Sequence, residues 1–336
     1  MVAHVVNPRS AAITGWGCAV PDQVLTNAHL EQLVETNDEW ITERTGIRER
    51  RIASANESTA SLAIDAGAAA IKKAGLTPTD VGLFICATTT PETPIPHTGS
   101  WVGDGIGLSC GSFDLNAACA GFVYSLVVGT SLIQAGATQN LLIVGSETLS
   151  RVTDPTDRGT CILFGDGAAA VVLSATDAPE IGLEAFDLGC DGSAADILFV
   201  PSGGSRSPAS PQTLDERDHF LKMNGQEVFR RAVRAIVDSA TATMERGGFT
   251  ADDIDWFIPH QANIRIIEAA ANRLAIPMER AVLNLDRYGN TSAASIPLAL
   301  TEAADEGRFQ PGDRILLSGF GAGMTWASAL VRWGNP

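Results

Sequence analysis

Positive charge is scarce in this chain: 23 Lys and Arg stand against 39 Asp and Glu, a formal net charge of −16. That balance argues against nucleic acid as a partner, because phosphate binding needs a basic surface. Metal and disulfide frameworks are missing as well. The six cysteines, Cys18, Cys86, Cys110, Cys119, Cys161 and Cys190, form no CxxC pair and no metal-ligand spacing, and read as free thiols of a reducing cytosol. No apolar run approaches the ~20 residues that cross a bilayer. Residues 1–10, MVAHVVNPRS, lack the apolar stretch of a secretory leader. The expectation is a soluble, cytoplasmic protein with no membrane partner.

What remains is a chain of 336 residues, 45% apolar and only 18% charged, long enough for a substantial core and suited to a compact α/β enzyme. Its most informative stretch is Ser112 to Gly136, SFDLNAACAGFVYSLVVGTSLIQAG. A strand-like run from Phe113 to Leu115 enters a turn of small residues, and a dense apolar helix follows, stopping at Gly136 as a C′ glycine. Cys119 therefore sits where a strand becomes a buried helix. Small neighbours leave room for a substrate, and the free N–H groups of a helix start favour a thiolate. A cysteine used as a small core hydrophobe is the commoner case, and position alone leaves both readings open.

The chain also matches itself. GLTPTDVGLFICATTT at 75–90 aligns with GFTADDIDWFIPHQAN at 248–263, with Asp80 on Asp253. NAACAGFVYSL from Asn116 lies against NTSAASIPLAL from Asn290, and LLIVGS from Leu141 against ILLSGF from Ile315, both at an offset of 174. A duplicated α/β unit is expected, with an N-terminal half at 1–180 and a C-terminal half at 181–336. Each half should run helix, strand, loop, strand, small-residue turn, helix, strand, with helices at 58–74 and 224–247. Alternation of this kind implies parallel sheet covered by helices. Residues 201–218, rich in Pro, Ser and Gly, read as a surface loop.

Duplication separates the chemistry. The first helix start carries Cys119, and the second carries Ala293 at that offset, while strand ends of the second half offer His260 and, in the turn before its helix, Asn290. A loop histidine and an N-cap asparagine are ordinary. All three, however, fall at strand–helix junctions on one expected face, where ligands of α/β folds gather. The glycine loop Gly319-Phe320-Gly321-Ala322-Gly323 ends another strand there. Its N–H groups suit an oxyanion, and without GxGxxG spacing or a phosphate lysine it is not a nucleotide loop.

Seven motifs in order then carry a resemblance: Asn37-Asp38-Glu39-Trp40-Ile41 with Arg44-Thr45-Gly46-Ile47-Arg48; Ala117-Ala118-Cys119-Ala120-Gly121; Asp154-Pro155-Thr156-Asp157-Arg158-Gly159; Gly165-Asp166-Gly167; Pro259-His260-Gln261-Ala262-Asn263; Gly289 to Ser295; and the Phe320 glycine loop. From Thr26 to Trp333 the chain resembles the β-ketoacyl-acyl-carrier-protein synthase III family of the thiolase superfamily. The resemblance implies a five-layered αβαβα thiolase-like fold, a homodimer, and acyl transfer through Cys119 with no metal or organic cofactor. Acyl-CoA and malonyl-acyl-carrier protein would be the substrates. Cys119 and Ala322 would supply oxyanion-hole N–H groups, and His260 and Asn290 would bind the malonyl thioester oxygen. Trp40 and Arg158 would sandwich the CoA adenine, with Arg44 and Arg265 near the phosphates and Asn263 at the pantetheine. Ile95 would lie at the floor of a primer pocket that Phe164 and Phe229 also line. An acidic carrier protein needs a local basic patch on so acidic a chain; Arg230, Arg231, Arg234 and Arg273 are the candidates, against the plain reading of a solvated helix face. The rival readings are a priming ketosynthase of polyketide or other specialised metabolism, a hydroxymethylglutaryl-CoA-type synthase, and an inactive scaffold subunit. Retention of Cys119, His260 and Asn290 together speaks against the last.

Overall fold

The structure is a computed structural model that describes residues 10–334; the leader reading at residues 1–9 lies outside it. In chain order the principal elements are β1 (Ser10–Ala19), α1 (Asp38–Thr45), α2 (Thr59–Lys73), β2 (Leu83–Ala87), β3 (Gly111–Leu115), α3 (Gly121–Gln134), β4 (Asn140–Thr148), β5 (Asp166–Thr176), β6 (Gly182–Cys190), α4 (Gly225–Gly247), β7 (Trp256–Pro259), α5 (Ile264–Leu274), α6 (Ser295–Asp305), β8 (Arg314–Gly321) and β9 (Thr325–Arg332). One sheet has the order β1-β5-β4-β2-β3 and the other β7-β8-β9-β6. The offset of the sequence repeat sets β2 on β7, β4 on β8 and α3 on α6, and the sheet orders place β5 and β1 where β9 and β6 stand in the second half.

Three details depart from the sequence reading. The sheets are mixed rather than parallel: β2 pairs parallel with β3 and β4, and β7 with β8, whereas β1–β5, β4–β5, β8–β9 and β9–β6 are antiparallel. β8 returns directly into β9 through residues 322–324, and a direct return is antiparallel, whereas β1–β5 and β6–β9 join strands far apart in the chain. The counterpart of β3 in the second half is also reduced to a single parallel bridge, Phe257 to Ala281. The Ser/Pro-rich segment at 201–218 contains a helical turn, Pro211–Asp215, because Ser210 and Thr213 form a capping box and Pro211 opens it.

Strand residues alternate between two apolar environments. Leu141 and Ile143 face a central layer with Phe122 and Leu126 of α3 and Ile296 and Leu300 of α6, and Ile315 and Leu317 meet the same layer from the other sheet. Leu142 and Val144 face outward onto Ala63, Ala66 and Ala70 of α2. Leu316 faces outward onto Val233 and Ile236 of α4 and Ala270 of α5. Helix, sheet, paired helices, sheet, helix is the resulting five-layer stack. Sheets buried on both faces need the near-continuous apolar runs seen here. Truncating Phe122, which is fully buried between the sheets, would cost about 3–5 kcal/mol. The central pair α3 and α6 fixes the site, because both helices begin where the two sheets meet.

Candidate active site

Cys119 lies in a tight turn, Ala118–Ala120, immediately before α3. The turn is sharp enough that Ala118 adopts φ +48°, a region that costs a non-glycine residue about 1–3 kcal/mol. Gly136, with φ +79°, closes the far end of the helix region. The neighbouring strand of the other half passes close only because it is glycine there. A Cβ on Gly321 would come within 2.5 Å of Cys119 N, and one on Gly319 within 3.0 Å of Ala120 Cα. The Thr325 hydroxyl donates to Ala117 O at 2.8 Å and to Ala322 O at 3.1 Å, clamping the glycine loop to the cysteine turn. Ala322 and Cys119, the expected oxyanion pair, are thus held on adjoining elements.

His260, at the end of β7, is 3% exposed, and Asn290 is 7% exposed. The backbone N–H of His260 donates to Ser318 O at 2.8 Å, continuing the β7–β8 pairing into the site. Its Nδ1 is 2.6 Å from Ser295 Oγ, the first residue of α6. With the serine hydroxyl donating, the neutral ring carries its proton on Nε2. Burial pushes His260 down to about 3 and the Cys119 thiol up to about 12. Ser292 opposes the cysteine's shift and the Glu147 charge adds to it, both less than burial does. The resting pair is therefore thiol and neutral imidazole; the thiolate favoured by the helix start in the sequence reading is outweighed by desolvation. Asn290 is fixed twice: Ser292 N–H donates to its Oδ1 at 2.9 Å, and its own N–H donates to Leu163 O at 2.8 Å. Its Oδ1 thus engaged, the carboxamide has its Nδ2 hydrogens to offer a ligand.

A cavity of about 1140 Å³ collects these groups: Cys119, His260 and Asn290 all line it, as do Trp40, Arg44, Arg158, Asn263, Arg265, Phe164 and Phe229. Arg44 and Arg158 both lie over the Trp40 ring, 4.8 and 4.9 Å from its centre. No adenine fits between Trp40 and Arg158 at that spacing, so a sandwich there requires Arg158 to give up the ring and its bond to Glu35 O. Arg265 Nε donates to Glu43 O at 3.1 Å, and Asn263 caps α5 by accepting from Arg265 N–H at 2.9 Å.

Ile95 does not line this cavity within its own chain: it is 89% exposed, in the turn that precedes helix Thr98–Ile106. Of the docking candidates, Arg230 is paired with Glu227 at 2.7 Å, Arg231 with Asp191 at 3.0 Å, and Arg234 with Asp238 at 3.4 Å. Arg231 thereby ties α4 to the segment after β6.

The sequence reading passed over four contributors. Ser295 and Thr325 orient the site as described. Arg50 is fully buried and donates to Leu25 O, Asn27 Oδ1 and Ile162 O, bracing the wall that carries Phe164; inside the run Arg-Glu-Arg-Arg it reads as surface. Glu147, also fully buried, sits at the end of β4 beside the threonines that end β2. The one signal for it was the repeat, which sets an acid against a glycine.

Comparison with known proteins agrees with this geometry. The family model for 3-oxoacyl-[acyl-carrier-protein] synthase III matches residues 113–192, and the model for its C-terminal part matches residues 244–333. The β-ketoacyl-[acyl-carrier-protein] synthase III of Roseiflexus castenholzii is 52% identical over 324 residues, 96% of this chain and 98% of that one. The crystal structure of the synthase III of Thermus thermophilus superposes with a TM-score of 0.90 at 43% identity, covering 97% of this chain and 100% of the other. The priming β-ketosynthase of the R1128 polyketide pathway superposes at 0.90 with 33% identity over the whole of both chains. With its duplicated five-layer fold and cysteine at the first helix start, the chain belongs to the β-ketoacyl-[acyl-carrier-protein] synthase III family.

Proposed function

We propose that the chain catalyses the initiating condensation of fatty acid synthesis, joining a short acyl-CoA primer to malonyl-acyl-carrier protein with release of CoA and CO2. The observation that carries the reading is the convergence of Cys119, His260 and Asn290 on one cavity whose outer part holds Trp40 and three arginines. Cys119 gives up its proton as the sulfur attacks the thioester carbonyl; the developing oxyanion is met by the N–H groups of Cys119 and Ala322, and CoA leaves as a thiolate that takes up a proton. Malonyl-carrier protein then enters. His260 through Nε2–H and Asn290 through Nδ2 donate to its thioester oxygen, stabilising the enolate as CO2 departs. A neutral imidazole suits that task, since it is a standing donor that needs no proton uptake. The enolate attacks the acyl-cysteine and expels the Cys119 thiolate, which takes a proton from solvent to restore the thiol. Decarboxylation itself generates the carbanion, so the reaction requires no metal or organic cofactor. A cytoplasmic homodimer is the working form that membership of the family favours; among the described residues no helix is long and apolar enough to cross a membrane.

Intact-mass spectrometry after exposure to a series of acyl-CoAs tests the reading. One acyl mass per chain is expected, lost in Cys119→Ser; an adduct that maps to Cys86 or Cys161 would sink it. The likeness to a polyketide priming ketosynthase favours one second reading, a primer or carrier protein of specialised metabolism. Turnover with only that pathway's carrier protein would select it.

A further inference from the structure

Glu147 is 0% exposed and surrounded by donors. Thr89 N–H reaches it at 3.0 and 3.1 Å and Thr90 N–H at 3.1 Å, and the hydroxyls of Thr89 and Thr90 donate at 2.9 and 2.7 Å. Those groups belong to its own half. From the other half, Ala293 N–H points at its Oε1 from 3.4 Å. Ala293 stands at the start of α6 as Cys119 stands at the start of α3, and Glu147 stands on its strand as Gly321 stands on β8. Each helix start thus faces the other half's strand end. At Cys119 the facing residue is glycine, and an incoming thioester oxygen brings the negative charge. At Ala293 the facing residue is a carboxyl group: burial pushes it up, and hydrogen bonds from Thr90, Thr89 and Ser292 work against that and favour its anion. A helix start stabilises an anion in both cases.

The neighbour of Ala293 matters to the reaction. Ser292 holds φ +46°, and its N–H donates to Asn290 Oδ1 at 2.9 Å. A strained turn keeps its shape only when its surroundings over-determine it, and Glu147 supplies a charged acceptor one residue away. The Ser292 hydroxyl is buried between Cys119 and Glu147 and favours the charged form of each. We propose that Glu147 is a positioning residue for the condensing step: as a resident anion in the second turn it holds Ser292 and Ala293, and through them the Asn290 carboxamide, in register with Cys119. The proposal rests on the function given above, in which Asn290 serves the malonyl thioester. Negative charge at Glu147 also bears on Cys119 and on the buried Cys86, which Asp114 faces as well.

Glu147→Gln keeps the size and one acceptor oxygen while removing the charge; Glu147→Ala removes both. In Glu147→Gln, CO2 release from malonyl-carrier protein should fall by about tenfold or more, as when partners that orient metal ligands are lost. Acylation of Cys119 by acetyl-CoA should not fall, and should rise with whatever thiolate the loss of the charge adds. The pH midpoint of Cys119 alkylation by iodoacetamide should move down, a readout that loss of packing alone would not give. Should Glu147→Ala fail to fold, Glu147→Gln still decides. Normal CO2 release in Glu147→Gln overturns the proposal, and so does an equal fall in acylation and CO2 release with the alkylation midpoint unmoved. Unimpaired CO2 release in Asn290→Ala, run alongside, would bring down the functional reading on which the proposal stands.

Discussion

At Ala118 and at Ser292, 174 positions apart, the backbone takes nearly the same turn, φ +48° and +46°, and the next residue is a thiol in one half and a methyl in the other. The turn with the thiol faces glycine and opens on the cavity, whereas the turn with the methyl faces a buried carboxylate and does not line it. Fold symmetry therefore supplies two helix starts of equal electrostatic promise, and one glycine against one glutamate determines which can accept a substrate. Helix dipole alone is not what makes a nucleophile here.

Moving the thiol tests that conclusion most severely. Cys119→Ala combined with Ala293→Cys keeps one cysteine at a helix start and should abolish acylation, measured as acyl mass per chain. An adduct on the transplanted cysteine would show that the helix start suffices. The next largest effect separates the two half-reactions. His260→Ala or Asn290→Ala should lower CO2 release by about 10²–10³, the usual loss of one oxyanion donor, while acylation survives. A Cys–His ion pair predicts the opposite for His260. With the thiol at about 12 and the imidazole at about 3, the acylation rate should climb through neutral pH as the thiolate fraction rises about tenfold per unit, with no step at pH 6–7. A plateau above pH 7 would restore the ion pair.

A subtler pair compares the glycines that let each strand pass the other half's turn. A Cβ at Gly145 would meet Ala293 O at 2.3 Å, and one at Gly321 would meet Cys119 N at 2.5 Å, backbone contacts in both cases. Both Gly→Ala variants should lose about 1–3 kcal/mol by overpacking, read from denaturant unfolding. Only Gly321→Ala should also slow acylation, because it alone displaces the reacting turn. Equal slowing in both would mean that the halves transmit strain freely.

The sequence made the two turns legible because small residues between a strand and an apolar helix leave few other structures, and the repeat located their counterparts. Cys119 and His260 depart from their repeat partners, Ala293 and Ala87, at strand–helix junctions, whereas Asn290 matches Asn116 and is marked only by its turn before a helix. What could not be read depends on partners distant in the chain. The antiparallel pairings of β1 with β5 and of β6 with β9 join strands far apart in the chain, which alternation does not encode. Arg50 and Glu147 are charged residues whose burial is evident only when their acceptors and donors, far apart in sequence, are brought together.

Surface charge is where the smallest effect is expected, and where α2 and α4 differ. Helix α2 is a buried, alanine-rich helix ending in Lys72 and Lys73, and Lys73 is paired with Asp305. Helix α4, across the other sheet, instead presents Arg230, Arg231 and Arg234 beside the cavity residue Phe229. Most of that positive charge is already matched. Glu227 meets Arg230, Asp191 meets Arg231, and Asp238 meets Arg234 in an exposed and loosely held pair, while among the described residues Arg273 has no ion pair. An acidic carrier protein should accordingly sense Arg273 and Arg234 before Arg230, and Arg231→Glu should perturb the fold through Asp191 instead. Arg273→Glu with Arg234→Glu should raise the KM for malonyl-carrier protein by about fivefold, the scale of exposed charge contacts. The rise should fade at about 0.5 M salt, where screening is strong, and self-acylation by acetyl-CoA should be unchanged. If Arg230→Glu alone gives the larger rise, the Glu227 pair opens on docking and the neutralised helix face is the contact after all.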